Sequence, residues 1–211
     1  MNNTTTDGLI FDLDGTLWDS TQTVADAWQA AIEDLPYVDR TVTKEDVAGI
    51  AGMPYDAIYE KLFPKLNKEQ RQELMERCAK EELEYLHKKG GQLYEGLEET
   101  LTYLQNKGYK LFIVSNCQRG YIEGFLEFHG LQRYFDDHLC FGDDHKPKGK
   151  NIRAIIERNG LKQAVYIGDT KGDYDASQVG EVPFVFARYG FGTVEAEVKT
   201  IDQLADLKKF F

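Results

Sequence analysis

Positive charge is in short supply in this chain. Lys and Arg number 25 against 36 Asp and Glu, a formal net charge of −11 over 211 residues. That balance excludes a general binder of nucleic-acid backbones, which needs Lys and Arg to neutralise phosphates. A small anion needs only one local positive site and is still compatible. Cysteine is also sparse: Cys78, Cys117 and Cys140 are scattered without metal-ligand spacing. An odd, sparse set excludes a disulfide framework and fits reduced thiols in a cytoplasmic compartment. Long hydrophobic runs are missing. None approaches the roughly 20 residues of a spanning helix, so no membrane partner is expected. The opening MNNTTTDG has neither a basic region nor an apolar stretch, and is not read as a signal peptide. There is no internal repeat. What is present is 42% hydrophobic and 29% charged, the composition of an ordinary globular protein. The length suits one good core, or a core plus a small accessory domain.

The pattern of apolar residues divides the chain. GLIFDL (8–13) is a short apolar run before a glycine turn and reads as a buried strand. From Thr21 to Lys89 the pattern is helical and contains no convincing strand. VADAWQAAIEDL is broken by Pro36, Thr43 is placed to cap TVTKEDVAGI, and MPYDAIYEKLF stops at Pro64. The stretch 67–89 is a long amphipathic helix closed by Gly90 and Gly91. After Gly91 strands alternate with helices: strands at 109–116, within 136–144, at 164–169 and at 182–187, helices between them, and a last short helix. Alternation of this kind predicts an α/β fold, a Rossmann-like, doubly wound parallel sheet. The expected domains are a core of residues 1–17 with 91–211 and a helical insertion of residues 18–90.

In open α/β sheets ligands lie beyond the carboxyl ends of the strands. Asp12-Leu13-Asp14-Gly15-Thr16 follows the first strand, Ser115-Asn116 the second, and Gly168-Asp169 the fourth, with Asp173 four residues on. The third leads to HKPKGKNI, which carries Lys146, Lys148 and Lys150. Parallel neighbours would gather four carboxylates, a hydroxyl and a lysine. Four carboxylates alone raise one another's pKa. A hard divalent cation such as Mg²⁺, which takes oxygen ligands and shares its shell with phosphate, resolves the conflict. A carboxylate can attack phosphorus, a second acid can protonate the leaving oxygen, and donors can hold the equatorial oxygens. Gly15 allows a tight turn that points amides at the phosphate.

These residues resemble the haloacid dehalogenase superfamily, and within it the phosphoglycolate-phosphatase-like enzymes with a helical cap. DLDGT (12–16) matches the D-x-D-G-T signature, VSN (114–116) the second motif, and GDTKGD (168–173) the acidic fourth motif. The resemblance spans nearly the whole chain. It implies Asp12 as nucleophile and Asp14 as general acid/base. It implies Mg²⁺ on Asp12, the Asp14 main-chain carbonyl and Asp169, with Asp173 in support. The phosphate-binding set it implies is Gly15, Thr16, Ser115, Asn116 and Lys148. In the third motif many relatives read G-K-P-x-P, which points to Lys146. KGKNI resembles a variant whose lysine lies four before the Ile, and we take that residue, Lys148, as the motif lysine and Lys146 as its alternative. Lys150 is expected to face solvent. The insertion resembles the family's cap, with the turn AGIAGMP (48–54) expected to select substrate. The implied activity is Mg²⁺-dependent hydrolysis of a small phosphorylated metabolite through an aspartyl phosphate. Phosphoglycolate, a sugar phosphate, a nucleotide and pyrophosphate are all admitted, and oligomeric state is open.

Rival chemistries fit less well. Dehalogenases and phosphonate-cleaving relatives lack the second acid, here Asp14, and sugar phosphomutases place a histidine where this chain has Val24. A phospho-receiver or binding protein without turnover would have no large insert or would carry a broken motif. Other residues have plain readings. Asp19-Ser20 is expected to cap the first inserted helix. Cys117 reads as a packing residue, Arg119 as solvated, and the four histidines as structural or exposed. RYGFG (188–192) is a glycine-rich loop or a liner of the cap junction. The Glu-rich helix is expected to show solvent a charged face and to bury one apolar stripe.

Overall fold

The computed structural model describes residues 6–53 and 55–211. Strand β1 (Gly8–Phe11) is fully buried, and its side chains alternate between two faces. Leu9 and Phe11 join one hydrophobic cluster, Ile10 the other. Such two-sided burial is why the run is apolar throughout rather than alternating.

After β1 come a two-residue strand β2 (Trp18–Asp19) and four helices. These are α1 (Thr21–Glu33), α2 (Lys44–Ala48), α3 (Tyr55–Leu62) and α4 (Lys68–Lys89). A second two-residue strand, β3 (Gln92–Leu93), pairs antiparallel with β2. The inserted helices therefore leave and re-enter the chain through one narrow ribbon. No apolar periodicity announces strands of two residues, so the sequence reading lacked both. Thr43 caps α2 as expected, in a reciprocal capping box with Asp46, and Asn67 does the same for α4 with Gln70. Gly90 ends α4 at φ 62°.

The remaining elements build the sheet: α5 (Leu97–Asn106), β4 (Lys110–Ser115), α6 (Tyr121–His129), β5 (Asp137–Cys140), α7 (Phe141–Asp144), α8 (Lys148–Asn159), β6 (Ala164–Gly168), α9 (Lys171–Gly180), β7 (Phe184–Ala187) and β8 (Lys199–Ile201). The strand order is β5-β4-β1-β6-β7-β8, and every pair is parallel. This is the expected doubly wound α/β sheet. The final helix, Leu204–Lys209, is 3₁₀ rather than α, and the short edge strand β8 was not foreseen.

Helices cover both faces. Leu97, Leu101 and Leu104 of α5 with Ile122 and Phe125 of α6 pack on the side of Leu9, Phe11 and Ile113. Ile152 and Ile155 of α8 with Ala176 of α9 pack on the side of Ile10, Phe112 and Tyr166. β1 lies between β4 and β6, where the strand order reverses. That reversal leaves a crevice at the carboxyl ends of these three strands. No helix among the described residues is long and apolar enough to cross a membrane.

Candidate active site

The crevice collects the acids that the sequence scatters. Asp12 follows β1 directly, Asp169 follows β6, and Asp173 sits in the first turn of α9; all three are buried. One carboxylate oxygen from each lies within 4.8 Å of the other two. Lys148, the first residue of α8, is buried with them and donates to Asp12 Oδ1 at 2.8 Å and Asp173 Oδ1 at 2.7 Å. Lys146 and Lys150 are exposed. Lys148 is therefore the lysine that the fold brings among the acids: Lys146 precedes α8, and Lys150 lies two residues, about 200°, further round the helix.

The charges do not cancel. Burial, together with the charge of Asp173, pushes Asp12 up to about 7, against the pull of Lys148. Burial also drives Asp169 well above the carboxylate range, helped by Asp173 and Asp12. Burial pushes Asp173 the same way, but Lys148 and the Thr170 hydrogen bonds hold it below its ordinary value. Burial works against charge on Lys148 too, yet Asp12 and Asp173 keep its ammonium protonated. One lysine among three buried carboxylates leaves an excess of negative charge, which is unfavourable without a counter-ion. All the donors in the cluster are hard carboxylate oxygens. A divalent hard cation fits this set by charge and by ligand type.

Asp14 is turned elsewhere. Its Oδ1 accepts from Ser20 Oγ at 2.6 Å, Tyr121 OH at 2.9 Å and Trp18 Nε1 at 2.9 Å. Burial raises its pKa despite these three donors. Its carboxylate is not part of the three-acid cluster, so in that cluster Asp14 has only its main chain to offer. Among the described residues none donates to Asp14 Oδ2.

The phosphate-binding set divides. Ser115 ends β4, is buried and lines the crevice; its Oγ accepts from the Cys117 amide at 3.4 Å. Gly15 has φ 83°, and a Cβ there would run into Asp169 and Phe191, so the position requires glycine. Thr16 donates to Asp169 Oδ1 at 3.5 Å and so braces an acid. Asn116 donates to the Gly52 carbonyl at 3.3 Å, tying the sheet to the turn 48–53 of the insertion. Pro54, the last residue of AGIAGMP, lies outside the described residues.

Neighbouring residues complete the site, some as their sequence pattern suggests and some not. Ser20 makes no cap bond to α1. Asp19 does that work, accepting from the Thr21 amide at 2.9 Å, while Ser20 is spent on Asp14. The RYGFG loop is more than a turn: the Phe191 amide donates to Asp169 Oδ2 at 2.7 Å, Tyr189 OH donates to the Thr16 carbonyl at 2.8 Å, and Phe191 lines the crevice. Arg119 is 76% exposed and pairs with Asp143, as a solvated arginine should. Burial pushes the Cys117 thiol well up, which leaves it protonated and inert, as expected of a packing residue. Glu82 overturns the picture of a helix that buries only an apolar stripe. It is buried, its Oε2 accepts from Trp28 Nε1 at 2.6 Å and its Oε1 from Gln118 Nε2 at 3.0 Å. The buried line of α4 is Leu74, Cys78, Glu82 and Leu86, evenly four apart. That spacing is the signal that could have revealed it, since it puts a glutamate where an apolar residue belongs.

A crevice of this composition at the switch point of a parallel sheet defines a class of phosphoryl-handling α/β hydrolase. Comparison with known proteins agrees. A family model described as haloacid dehalogenase-like hydrolase matches residues 9–187, and the chain belongs to that family. It is a hydrolase, a phosphatase of that family. A phosphoglycolate phosphatase of Aliivibrio fischeri is 28% identical, over 87% of this chain and 84% of that protein. The pyrophosphatase PpaX of Listeria welshimeri is 30% identical, over 82% and 79%. A haloacid dehalogenase-like hydrolase of Streptococcus pneumoniae superposes with a TM-score of 0.82, covering 98% of this chain and 99% of that one at 20% identity, a likeness of fold.

Proposed function

We propose that this protein hydrolyses a small phosphomonoester with Mg²⁺ through an aspartyl phosphate on Asp12. The observation that carries the reading is the pairing of Lys148 with both Asp12 and Asp173 beside Asp169, while Asp14 is held apart by Ser20, Trp18 and Tyr121. Two acids in different surroundings take different roles. Asp12 Oδ attacks phosphorus, and the bond from phosphorus to the leaving oxygen breaks. Asp14, whose burial favours the protonated acid, gives that oxygen its proton. Asp14 then takes a proton from water as the water attacks phosphorus, which releases phosphate and restores Asp12. Ser115 and Lys148 hold equatorial oxygens, where charge concentrates in transfer. Asp12, Asp169, Asp173 and the Asp14 main chain would hold the cation. When bound, Mg²⁺ supplies positive charge against the phosphoryl oxygens and the crowded acids.

In this reading residues 18–90 are the cap, and residues 1–17 with 91–211 the catalytic core. The crevice is walled on one side by Val24, Trp28, Val47 and Ile50 of the insertion, which supports it. Asn116 and the turn 48–53 meet across the junction, so substrate entry would break that contact. The relatives' names make phosphoglycolate and pyrophosphate reasonable substrates to assay. The test is phosphate release from a panel of phosphomonoesters with and without Mg²⁺, for the wild type and Asp12→Asn. Metal-dependent release that the substitution abolishes is the expected outcome. Release by Asp12→Asn at the wild-type rate would refute Asp12 as nucleophile.

A further inference from the structure

Glu82 and the wall around it bear on which phosphomonoester this site takes, provided that the protein is the phosphatase proposed from Asp12 and Lys148. Glu82 lies in the cap, on α4, yet it lines the same crevice as Asp12, Asp14, Ser115 and Lys148. Its two hydrogen-bond partners, Trp28 and Gln118, are both neutral. No Lys or Arg contacts it among the described residues. Each oxygen has accepted one bond and keeps a second lone pair. Of the other cap residues on the wall, Ser20 and Thr21 spend their hydroxyls on Asp14 and Asp19, and Val24, Val47, Ile50, Met53 and Ile58 are apolar. Lys148 is the one basic side chain among the crevice-lining residues, and it is already committed to Asp12 and Asp173.

From this distribution we infer that the leaving group is non-anionic, has a short apolar body, and ends in a hydrogen-bond donor, an ammonium or a hydroxyl, that rests on Glu82. The substrate class is thus the phosphate ester of an amino alcohol or a polyol. Charge decides between this class and its rivals. A leaving group with a second anionic end, a carboxylate or another phosphate, would be buried against the Glu82 carboxylate. The cap wall provides no cation to receive it, and a buried unpaired charge is strongly unfavourable. A donor-ended group meets the opposite situation, because it supplies the partner that Trp28 and Gln118 leave room for. An ammonium also offsets the buried charge of Glu82.

The test compares kcat/KM of the wild-type enzyme, with Mg²⁺, on phosphoethanolamine, glycerol 3-phosphate, phosphoglycolate and pyrophosphate, with p-nitrophenyl phosphate as a reference. Either donor-ended substrate should exceed both doubly anionic ones by about tenfold or more, since a site built around a polar contact discriminates strongly on it. Phosphoethanolamine ahead of glycerol 3-phosphate would assign the ammonium, and the reverse order the hydroxyl. In Glu82→Gln the ratio of the preferred substrate to phosphoglycolate should fall by about tenfold, chiefly through KM, because the neutral amide no longer repels a carboxylate. A purely structural Glu82 would scale all substrates together and leave that ratio unmoved, which overturns the inference. So does a wild-type preference for phosphoglycolate or pyrophosphate, a result that needs no variant to fold. If p-nitrophenyl phosphate is hydrolysed without any such preference, this inference alone fails. If nothing in the panel is hydrolysed, the phosphatase reading fails and takes this one with it.

Discussion

Replacing Lys148 by methionine removes the one cation from a buried group of acids while keeping most of the side-chain volume. Lys148 is 5% exposed and bonded to Asp12 and Asp173, each at most 5% exposed. Breaking a buried pair by deleting one partner costs about 3–5 kcal/mol. For a chain of this size each kcal/mol moves Tm by about 2–4 °C, so a drop of roughly 10 °C is expected at pH 8. The drop should depend on pH in a defined direction. Asp12 and Asp169 have folded pKa values above their unfolded ones even with the lysine present. Without it both rise further, and Asp173 loses the partner that holds it down. A carboxyl whose folded pKa is raised binds more protons folded than unfolded, so its contribution to stability falls as pH rises. The variant should therefore approach the wild type near pH 5 and depart from it at pH 8. Adding Mg²⁺ at pH 8 should stabilise both proteins by mass action and the variant more, because it lacks the ammonium that competes with the cation for Asp12 and Asp173, so the difference narrows. Thermal melts of both proteins at the two pH values, with and without Mg²⁺, make the measurement. An equal Tm difference at both pH values, indifferent to Mg²⁺, would refute the claim that Lys148 neutralises this cluster.

Further expectations are independent of that one. Asp14→Asn should lower kcat by about 10²–10⁴-fold on a substrate with an alkoxide leaving group. In kcat/KM, which reports the step that expels the leaving group, the loss should be smaller on p-nitrophenyl phosphate, whose leaving group needs no proton; equal losses in kcat/KM on both would remove Asp14 as the acid. Gly15→Ala should destabilise by about 1–3 kcal/mol in urea unfolding, because the backbone there is at φ 83° and the new methyl meets Asp169. An unchanged midpoint would show that the loop relaxes freely. Burial pushes Glu82 from 4.5 up to about 7, so its ionisation opposes folding, fully above pH 7 and not at all below pH 4.5. Glu82→Gln should accordingly flatten the decline of stability across that window by roughly 3 kcal/mol, read from urea midpoints at a series of pH values. A decline as steep in the variant as in the wild type would assign it to other groups.

How far the sequence was legible depended on the range of the interactions involved. The chemistry of the three motifs was readable because each is local: Asp12, Gly15 and Thr16 share one turn, and Thr170 with Asp173 forms a capping box within four residues. The parallel sheet was readable because β1, β4 and β6 are apolar runs buried on both faces, and chirality and connection rules leave them few arrangements. Less legible were groups whose meaning lies in a partner far along the chain. Ser20 looks like a helix cap until Tyr121, which also bonds to it, is brought 2.8 Å away. The RYGFG loop reads as a plain glycine-rich loop or a liner of the cap junction until the Phe191 amide closes on Asp169 and the Tyr189 hydroxyl on Thr16. The strands β2 and β3 are too short to carry a period and exist because the chain closes on itself there.

By itself, then, the sequence determined the fold class, the order of the elements and the identity of the acids at the strand ends. Propensity, capping and hydrophobic period act over a few residues and are written in the order of the letters. The resemblance pointed to Lys148 over Lys146, and the packing of α8 puts it among the acids. Tertiary structure alone decided that the Asp14 carboxylate faces Ser20, Trp18 and Tyr121, and that one glutamate of a charged helix lines the same crevice as Asp12. Those outcomes depend on the angle at which α4 and α8 pack against their neighbours. A rotation of one residue, about 100° on a helix, would send Lys148 or Glu82 into water.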